Sequence, residues 1–357
     1  MKYSSKISVL LLAIFCFHIT ATAQNKSSKK PKRVIFLIGD GMGLTQISAA
    51  MSRYNGQNAF MRFPVIGLSK TSSAKHYITD SGAGATAFTI GKKTYNYSIG
   101  VDADTIAQPT LFELAKLKNF STGVVVTSSI QHATPASFYA HVPERKMYDS
   151  ISTFLLNGNC DIAIGGGSKF IYEREDNRNL VDELEQKGFT LIKDHELKPI
   201  NKSKFIYTLA RDGMKSMEEG RGDYLKKASL MAIEQLKKNK NYFLMIEGSQ
   251  IDWGGHANKY EYMETELWDF NEVINAMLDL AKEDKDLLIL VTADHETGGL
   301  SLTKHEDRLK FEPHYATKSH TGTMVPVFAF GAGAKEFAGM YENTEIFHKL
   351  VKLLHLK

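Results

Sequence analysis

Residues 34–43 read Val-Ile-Phe-Leu-Ile-Gly-Asp-Gly-Met-Gly and run straight into the helix-period segment Leu44–Ser52. Five apolar residues in succession, without the alternation of a half-exposed strand, describe a strand buried on both faces. The glycines around Asp40 and Met42 then turn the chain into a helix. The same unit recurs along the sequence. Thr110–Lys118 reads as a helix feeding the strand Gly123–Thr127, and Asp161–Ile164 is a short strand ending in three glycines, 165–167. Tyr224–Lys238 places Leu225, Ala228, Ala232, Ile233 and Leu236 on one helical face and leads to the strand Tyr242–Ile246. A long helix around Tyr260–Ala281 precedes the strand Leu287–Thr292, and Pro326–Phe330 is followed by the helix Thr344–Leu354. Continuous apolar strands spaced by helices predict an α/β fold, with a largely parallel central sheet sandwiched by helices. Residues 34–357 are expected to form one domain, with the charged, less periodic stretch Asn177–Arg221 as a peripheral excursion.

Composition bounds the function. The chain has 357 residues, 43% of them hydrophobic and 24% charged, which excludes a disordered protein and a multi-span membrane protein. Formal net charge is +4, but Lys2, Lys6, Lys26, Lys29, Lys30, Lys32 and Arg33 sit in the first 33 residues, where no acid occurs. Without those seven charges the remainder is near −3, so a basic nucleic-acid footprint is absent. Lys2 and Lys6 precede the apolar run Ile7–Ile19, and Ala21-Thr22-Ala23 supplies a small-x-small cleavage site. Residues 1–23 therefore read as a signal peptide and residues 24–33 as a basic flexible tail. The expected protein is exported, periplasmic or secreted, and has no membrane span after cleavage. Cys160 would be its one thiol, so packing or metals rather than a disulfide must stabilise it.

In such sheets, ligands bind at the carboxyl ends of the strands. Asp40 follows the first strand; His132 and Thr134 follow Gly123–Thr127; Glu247, Asp252 and His256 follow Tyr242–Ile246; Asp294 and His295 follow Leu287–Thr292. Individually each has an ordinary explanation, Asp40 as a turn residue and Asp252 with His256 as a local helix pair. Together they describe a multinuclear metal site of oxygen and imidazole ligands. Asp294 and His295, adjacent after a strand, are expected to point in opposite directions and serve two metals.

The segment Thr79-Asp-Ser-Gly-Ala-Gly-Ala-Thr-Ala87 reads as a tightly packed helix with Ser81 at its N-terminus, where anions are stabilised. Asp80 or Ser81 as a mere helix cap is the competing explanation. Beside metal ligands, however, a serine hydroxyl becomes a nucleophile near neutral pH.

These pieces resemble the alkaline phosphatase family. The resemblance rests on residues 39–43, 79–87, 132–136 (His-Ala-Thr-Pro-Ala), 165–167, 247–252 (Glu-Gly-Ser-Gln-Ile-Asp) with His256-Ala-Asn258, and 292–299 (Thr-Ala-Asp-His-Glu-Thr-Gly-Gly). It implies an alkaline-phosphatase-like fold and broad hydrolysis of phosphate monoesters through a phosphorylated Ser81. It further implies two zinc ions and one magnesium: Asp252, His256 and a distant histidine hold the first zinc, and Asp40, Asp294 and His295 the second. Asp40, Thr134 and Glu247 would hold the magnesium. Among His305, His314 and His320, we take His320 as the distant ligand, because Ser319-His-Thr-Gly322 directly precedes the strand Pro326–Phe330. His305 and His314 read as solvent-facing residues of a polar loop. Arg145 is implied as the phosphate clasp, its fork matching two phosphoryl oxygens; a surface ion pair is the alternative.

Two departures from the family pattern stand out. His132 lies where Asp is frequent, and Trp253 where Lys or His is common. His132 is expected to alter the third metal site, and to favour zinc or cobalt there if it coordinates directly. The short stretch between His295 and His320 leaves no room for the insertion that often caps the site and builds a dimer interface, so a homodimer stays open. Rival readings are a phosphodiesterase or other hydrolase of the superfamily and an exported phosphate- or zinc-binding protein. Ser81 followed by Gly-Ala-Gly-Ala does not fit a sulfatase setting, and a binding protein needs no serine beside its metals.

Overall fold

The computed structural model describes residues 30–53, 58–307 and 310–357. The expected signal peptide and most of the expected tail lie outside the described residues. The strands are β1 (Arg33–Gly39), β2 (Val65–Lys70), β3 (Ser121–Ser129), β4 (Ile162–Gly166), β5 (Thr190–Lys193), β6 (Phe205–Thr208), β7 (Tyr242–Gly248), β8 (Leu287–Thr292), β9 (Glu296–Thr297), β10 (Leu300–Lys304), β11 (Phe311–Tyr315), β12 (His320–Thr321), β13 (Val325–Gly331) and β14 (Gly339–Glu342). Ten of them form one sheet in the order β14-β2-β13-β8-β1-β7-β3-β4-β6-β5. All run the same way except β13, which is antiparallel to both β8 and β2. The α/β architecture, a largely parallel sheet between helices, is as the sequence predicts.

The β1 side chains show why an unbroken apolar run is needed there. Val34, Phe36 and Ile38 enter one core, together with Phe88, Phe112 and Phe138, while Ile35 and Leu37 enter the other, with Leu267, Phe270 and Ile274. The first core lies beneath α2 (Ser81–Ile90), α3 (Leu111–Leu117), α4 (Ala133–Ala136), α5 (Tyr148–Thr153), α6 (Lys169–Tyr172) and α7 (Leu180–Gln186). The second is covered by α1 (Leu44–Arg53), α8 (Tyr224–Leu236), α9 (Gln250–Ala257) and α10 (Tyr260–Glu283), and α11 (Thr344–Leu354) closes the first core near α2.

Three expectations need correction. Arg33 is no tail residue: it opens β1, and its guanidinium pairs with Asp284 and lies 3.5 Å from Asp286. Residues 177–221 are peripheral only in lying at the sheet's edge; they belong to the sheet, because β6 pairs with β4, β5 pairs with β6, and all four β6 residues are buried. Four-residue strands are too short for a periodic signal. The stretch 296–321 is not simply a polar loop either. β10 and β11 form an antiparallel hairpin with His314 on β11, exposed as expected. No helix among the described residues is long and apolar enough to cross a membrane, and the free thiol of Cys160 is buried.

The underestimated region is fastened by charge. Arg221, with a side chain 1% exposed, reaches Glu266 Oε2 at 2.5 Å and Asp269 Oδ2 at 2.9 Å on α10. Burial pushes both carboxyl groups above their ordinary range despite Arg221. Arg221→Met should therefore cost about 3–5 kcal/mol by leaving two buried carboxylates uncompensated. An acid whose folded-state pKa is raised loses stability as pH rises through it. Removing Arg221 raises both further, so the deficit should grow from acidic to neutral pH in urea unfolding. A pH-independent loss would mean that packing, not charge, holds this segment.

Candidate metal centre and nucleophile

Register places the acids. Ile38 of β1 lies opposite Glu247 of β7 on one side and Thr292 of β8 on the other. Asp40, Glu247 and Asp294 therefore meet at one sheet edge, each no more than 1% exposed. Gly41 turns the chain there with φ +72°, and a Cβ would stand 2.7 Å from Thr297 Oγ1 and 2.9 Å from Asp252 Cα. Burial, reinforced by Asp294, Asp252 and Glu247, pushes the Asp40 carboxyl well up. Burial also raises Asp294 and takes Glu247 to about 7.

The oxygens that would face a cation accept no hydrogen bond. Both Asp40 oxygens, Asp294 Oδ2, Glu247 Oε1 and Thr134 Oγ1 are buried without a partner. The other carboxylate oxygens are anchored: Asp294 Oδ1 accepts from the Gly41 and His295 amides, and Glu247 Oε2 accepts from Ser249 Oγ at 2.6 Å. Asp294 and Glu247 are thus each held by one oxygen and leave the other free, as metal-ligating carboxylates are, while Asp40 leaves both free.

The histidines are oriented the same way. His256 Nδ1 donates to the Lys318 carbonyl at 2.6 Å and His320 Nδ1 to the Thr79 carbonyl at 2.8 Å. Their Nε2 atoms, left with lone pairs, face each other at 3.0 Å and lie 3.3 and 3.6 Å from Asp252 Oδ1. Thr297 Oγ1 donates to Asp252 Oδ1 at 2.5 Å, so His295 Nδ1 donates to Thr297 Oγ1 at 3.2 Å. His295 Nε2 thereby keeps its lone pair, 3.4 Å from Asp40 Oδ1 and 3.3 Å from Asp294 Oδ2. Lone pairs and carboxylate oxygens converging without a proton between them fit a divalent cation.

Among the described residues, three clusters bring ligand atoms within 4.8 Å of one another: Asp252, His256 and His320; Asp40, Asp252 and His295; and Asp40, His132 and Glu247. The first is the set the resemblance implies, His320 included. In the second, Asp252 joins, while Asp294 stays within reach of His295. Asp294 and His295 do not point apart, contrary to expectation. They lie beyond the end of β8, where the two-residue alternation of a strand no longer applies. The glycines 165–167 carry no ligand; a Cβ at Gly166 would stand 1.6 Å from the Asp212 carbonyl, so they admit that backbone.

Ser81 is the first residue of α2, 2% exposed, with Oγ 3.2 Å from His295 Nε2. The capping explanation holds for its neighbour: Asp80 Oδ1 accepts from the Ala83 amide at 3.0 Å and from the Tyr97 amide at 2.9 Å. Arg145 is not on the open surface. Its Nη1 donates to Asp80 Oδ2 at 2.8 Å, and it lines the same cleft as Ser81, His256 and His320. Burial opposes ionisation of Asp80, but Arg145 and the two amides outweigh it and hold the carboxyl low. Tyr97 was not legible as a site residue. It adopts φ +75° and joins the pair through its backbone, its carbonyl accepting from the Arg145 amide at 2.7 Å.

His132 lies beside Arg145, whose Nη2 donates to His132 Nε2 at 3.2 Å. A guanidinium can only donate, so Nε2 accepts and the proton sits on Nδ1. Burial, helped by Arg145, lowers the imidazole to about 3, so it is neutral.

Thr297 belongs to a quoted motif yet received no role from the sequence. It links Asp252 and His295 through one hydroxyl. Thr297→Val keeps the volume and removes that link, and should weaken divalent-metal binding about 10–100-fold. Chelator competition reads the change; unaltered affinity would reduce Thr297 to a packing residue.

Comparison with known proteins agrees with this geometry. The family model for alkaline phosphatase matches residues 31–317. Alkaline phosphatase 3 of Bacillus subtilis is 34% identical, over 94% of this chain and 92% of its own length. Alkaline phosphatase of Escherichia coli is 30% identical, over 95% and 89%. The structure of alkaline phosphatase from the Antarctic bacterium TAB5 superimposes with a TM-score of 0.88 at 43% identity, covering 92% of this chain and 99% of that one. With its motifs, fold and converging ligands all in agreement, this chain belongs to the alkaline phosphatase family and hydrolyses phosphate monoesters.

Proposed function

We propose that hydrolysis runs through a phosphoserine on Ser81 at a centre of two zinc ions and one magnesium, with broad tolerance of the leaving alcohol. The observation that carries this is the position of Ser81 Oγ, at a helix N-terminus and 3.2 Å from a histidine whose other nitrogen is already committed. Asp252, His256 and His320 would hold one zinc, Asp40, Asp294 and His295 the other, and Asp40, Thr134 and Glu247 the magnesium. Bound there, such cations supply charge neutralisation and activation of hydroxyl and water.

Arg145 orients the substrate by presenting two N–H groups to phosphoryl oxygens, with Asp80 fixing its fork. The α2 amides add positive potential under the same oxygens. Ser81 Oγ attacks phosphorus as the ester P–O bond breaks, and the alcohol departs with the bonding pair and gains a proton. Water then attacks the phosphoserine, releasing inorganic phosphate and restoring the Ser81 hydroxyl. Residues 1–23 support export, to the periplasm or medium, on sequence grounds.

Acid quenching during turnover of 32P-labelled substrate should trap label on Ser81. Ser81→Ala should lose several orders of magnitude in kcat/KM while retaining bound metal. Label elsewhere, or wild-type turnover by that variant, refutes the nucleophile assignment.

His132 sets the third metal's character. Its lone-pair nitrogen is engaged by Arg145, so it offers a hard cation neither charge nor a strong ligand. A variant of the TAB5 enzyme with histidine replaced by aspartate is solved with Mg bound in its M3 site; we read His132 as the counterpart of that histidine. His132→Asp should saturate with magnesium at lower concentration than the parent protein, in titrations of activity after identical zinc loading. Coincident midpoints would place His132 outside the third metal's influence.

A further inference from the structure

The cleft above Ser81 encloses about 590 Å³, far more than a phosphoryl group fills. Its more open lining is Ile78, Asn96, Tyr97, Trp253 and Ser319. None of these is charged, and among the described residues Arg145 is the only lysine or arginine on the cleft wall. Ile78 is 44% and Tyr97 53% exposed, which sets apolar surface beside a charged floor.

Trp253 packs closely on one side. A Cβ on Gly213 would stand 2.6 Å from its Cη2, so the benzo edge of the indole sits against that backbone. On another side it meets the His132 ring edge-on, with centroids 6.3 Å apart at 72°. It nevertheless stays half-exposed and lines the cleft. Tyr97 is anchored by its backbone to Asp80 and Arg145, so its Cα is fixed beside the phosphate clasp while its ring stays exposed on the cleft wall. Two aromatic side chains, one packed against Gly213 and His132 and the other carried on a backbone tied to Asp80 and Arg145, line the same cleft and offer it flat apolar surface.

We propose that the outer cleft is a leaving-group subsite for planar aromatic groups, with Trp253 and Tyr97 as its specificity-determining residues. Resting on the phosphomonoesterase reading, this adds which monoesters are preferred: aryl and benzyl phosphates over aliphatic ones of equal size.

The test compares kcat/KM for benzyl phosphate and cyclohexylmethyl phosphate, which match in reach and apolar area but differ in planarity. The metal-loaded enzyme should favour the benzyl ester about three- to tenfold. Trp253→Leu and Tyr97→Leu should bring the ratio toward one, and Trp253→Phe should preserve it. Only the ratio is read, so a shared loss of rate through the metals cancels. The corresponding phosphonates, as competitive inhibitors of the unsubstituted enzyme, give the same comparison without a leaving group and without any variant. A ratio near one for both esters and phosphonates, or a preference that survives both leucine substitutions, overturns the subsite. Failure to hydrolyse either ester would instead strike at the phosphomonoesterase reading.

Discussion

Asp40, Glu247 and Asp294 are buried side by side, with Asp252 only 5% exposed next to them. Like-charged carboxylates removed from water repel one another and lose hydration, and both effects push their pKa values upward. Arg145 lines the same cleft but is committed to Asp80. Bound divalent cations are what make such a set favourable, and in doing so they create the positive field that a phosphate dianion needs. The burden on the fold is to keep these acids together until cations arrive.

It does so with partners that are mostly backbone. The carbonyls of Thr79 and Lys318 orient His320 and His256, and the amides of Gly41 and His295 hold Asp294. Backbone groups are fixed by the sheet and its turns, so ligand geometry inherits the rigidity of the scaffold. Ser249, whose hydroxyl holds Glu247, and Thr297 are side-chain exceptions, and Thr297 too is held, since β9 pairs with β12 and sets Thr297 opposite His320.

The phosphate-binding half is built separately and joined at Asp80. One carboxylate caps α2, ties down Tyr97 and grips Arg145. A single residue therefore positions the helix that presents Ser81 and the guanidinium facing it. That economy explains why the segment from Thr79 to Ala87 has so distinct a sequence: a capping acid, a nucleophile, then small residues packed at a buried face.

Much was legible without coordinates, because the signals are local. Unbroken apolar runs announced β1, β3, β7 and β8, and the acids and histidines just past their ends announced the metal centre, since strand-end placement is a property of sequence position. Four things were not legible. Strands β5 and β6 are too short to register a period, and the charged loops around them mask their role in the sheet. Asp294 and His295 point together because the chain leaves the strand before reaching them. Thr297 and Tyr97 act through a hydroxyl and a backbone whose partners are distant in sequence. Finally, the sequence could name His320 but not bring it to the site. That depends on β13 running against its neighbours, which puts its N-terminal end, and the β12 segment before it, at the same edge as the C-terminal ends of β1, β7 and β8. Strand direction follows from packing over the whole sheet, so only the tertiary structure decided it.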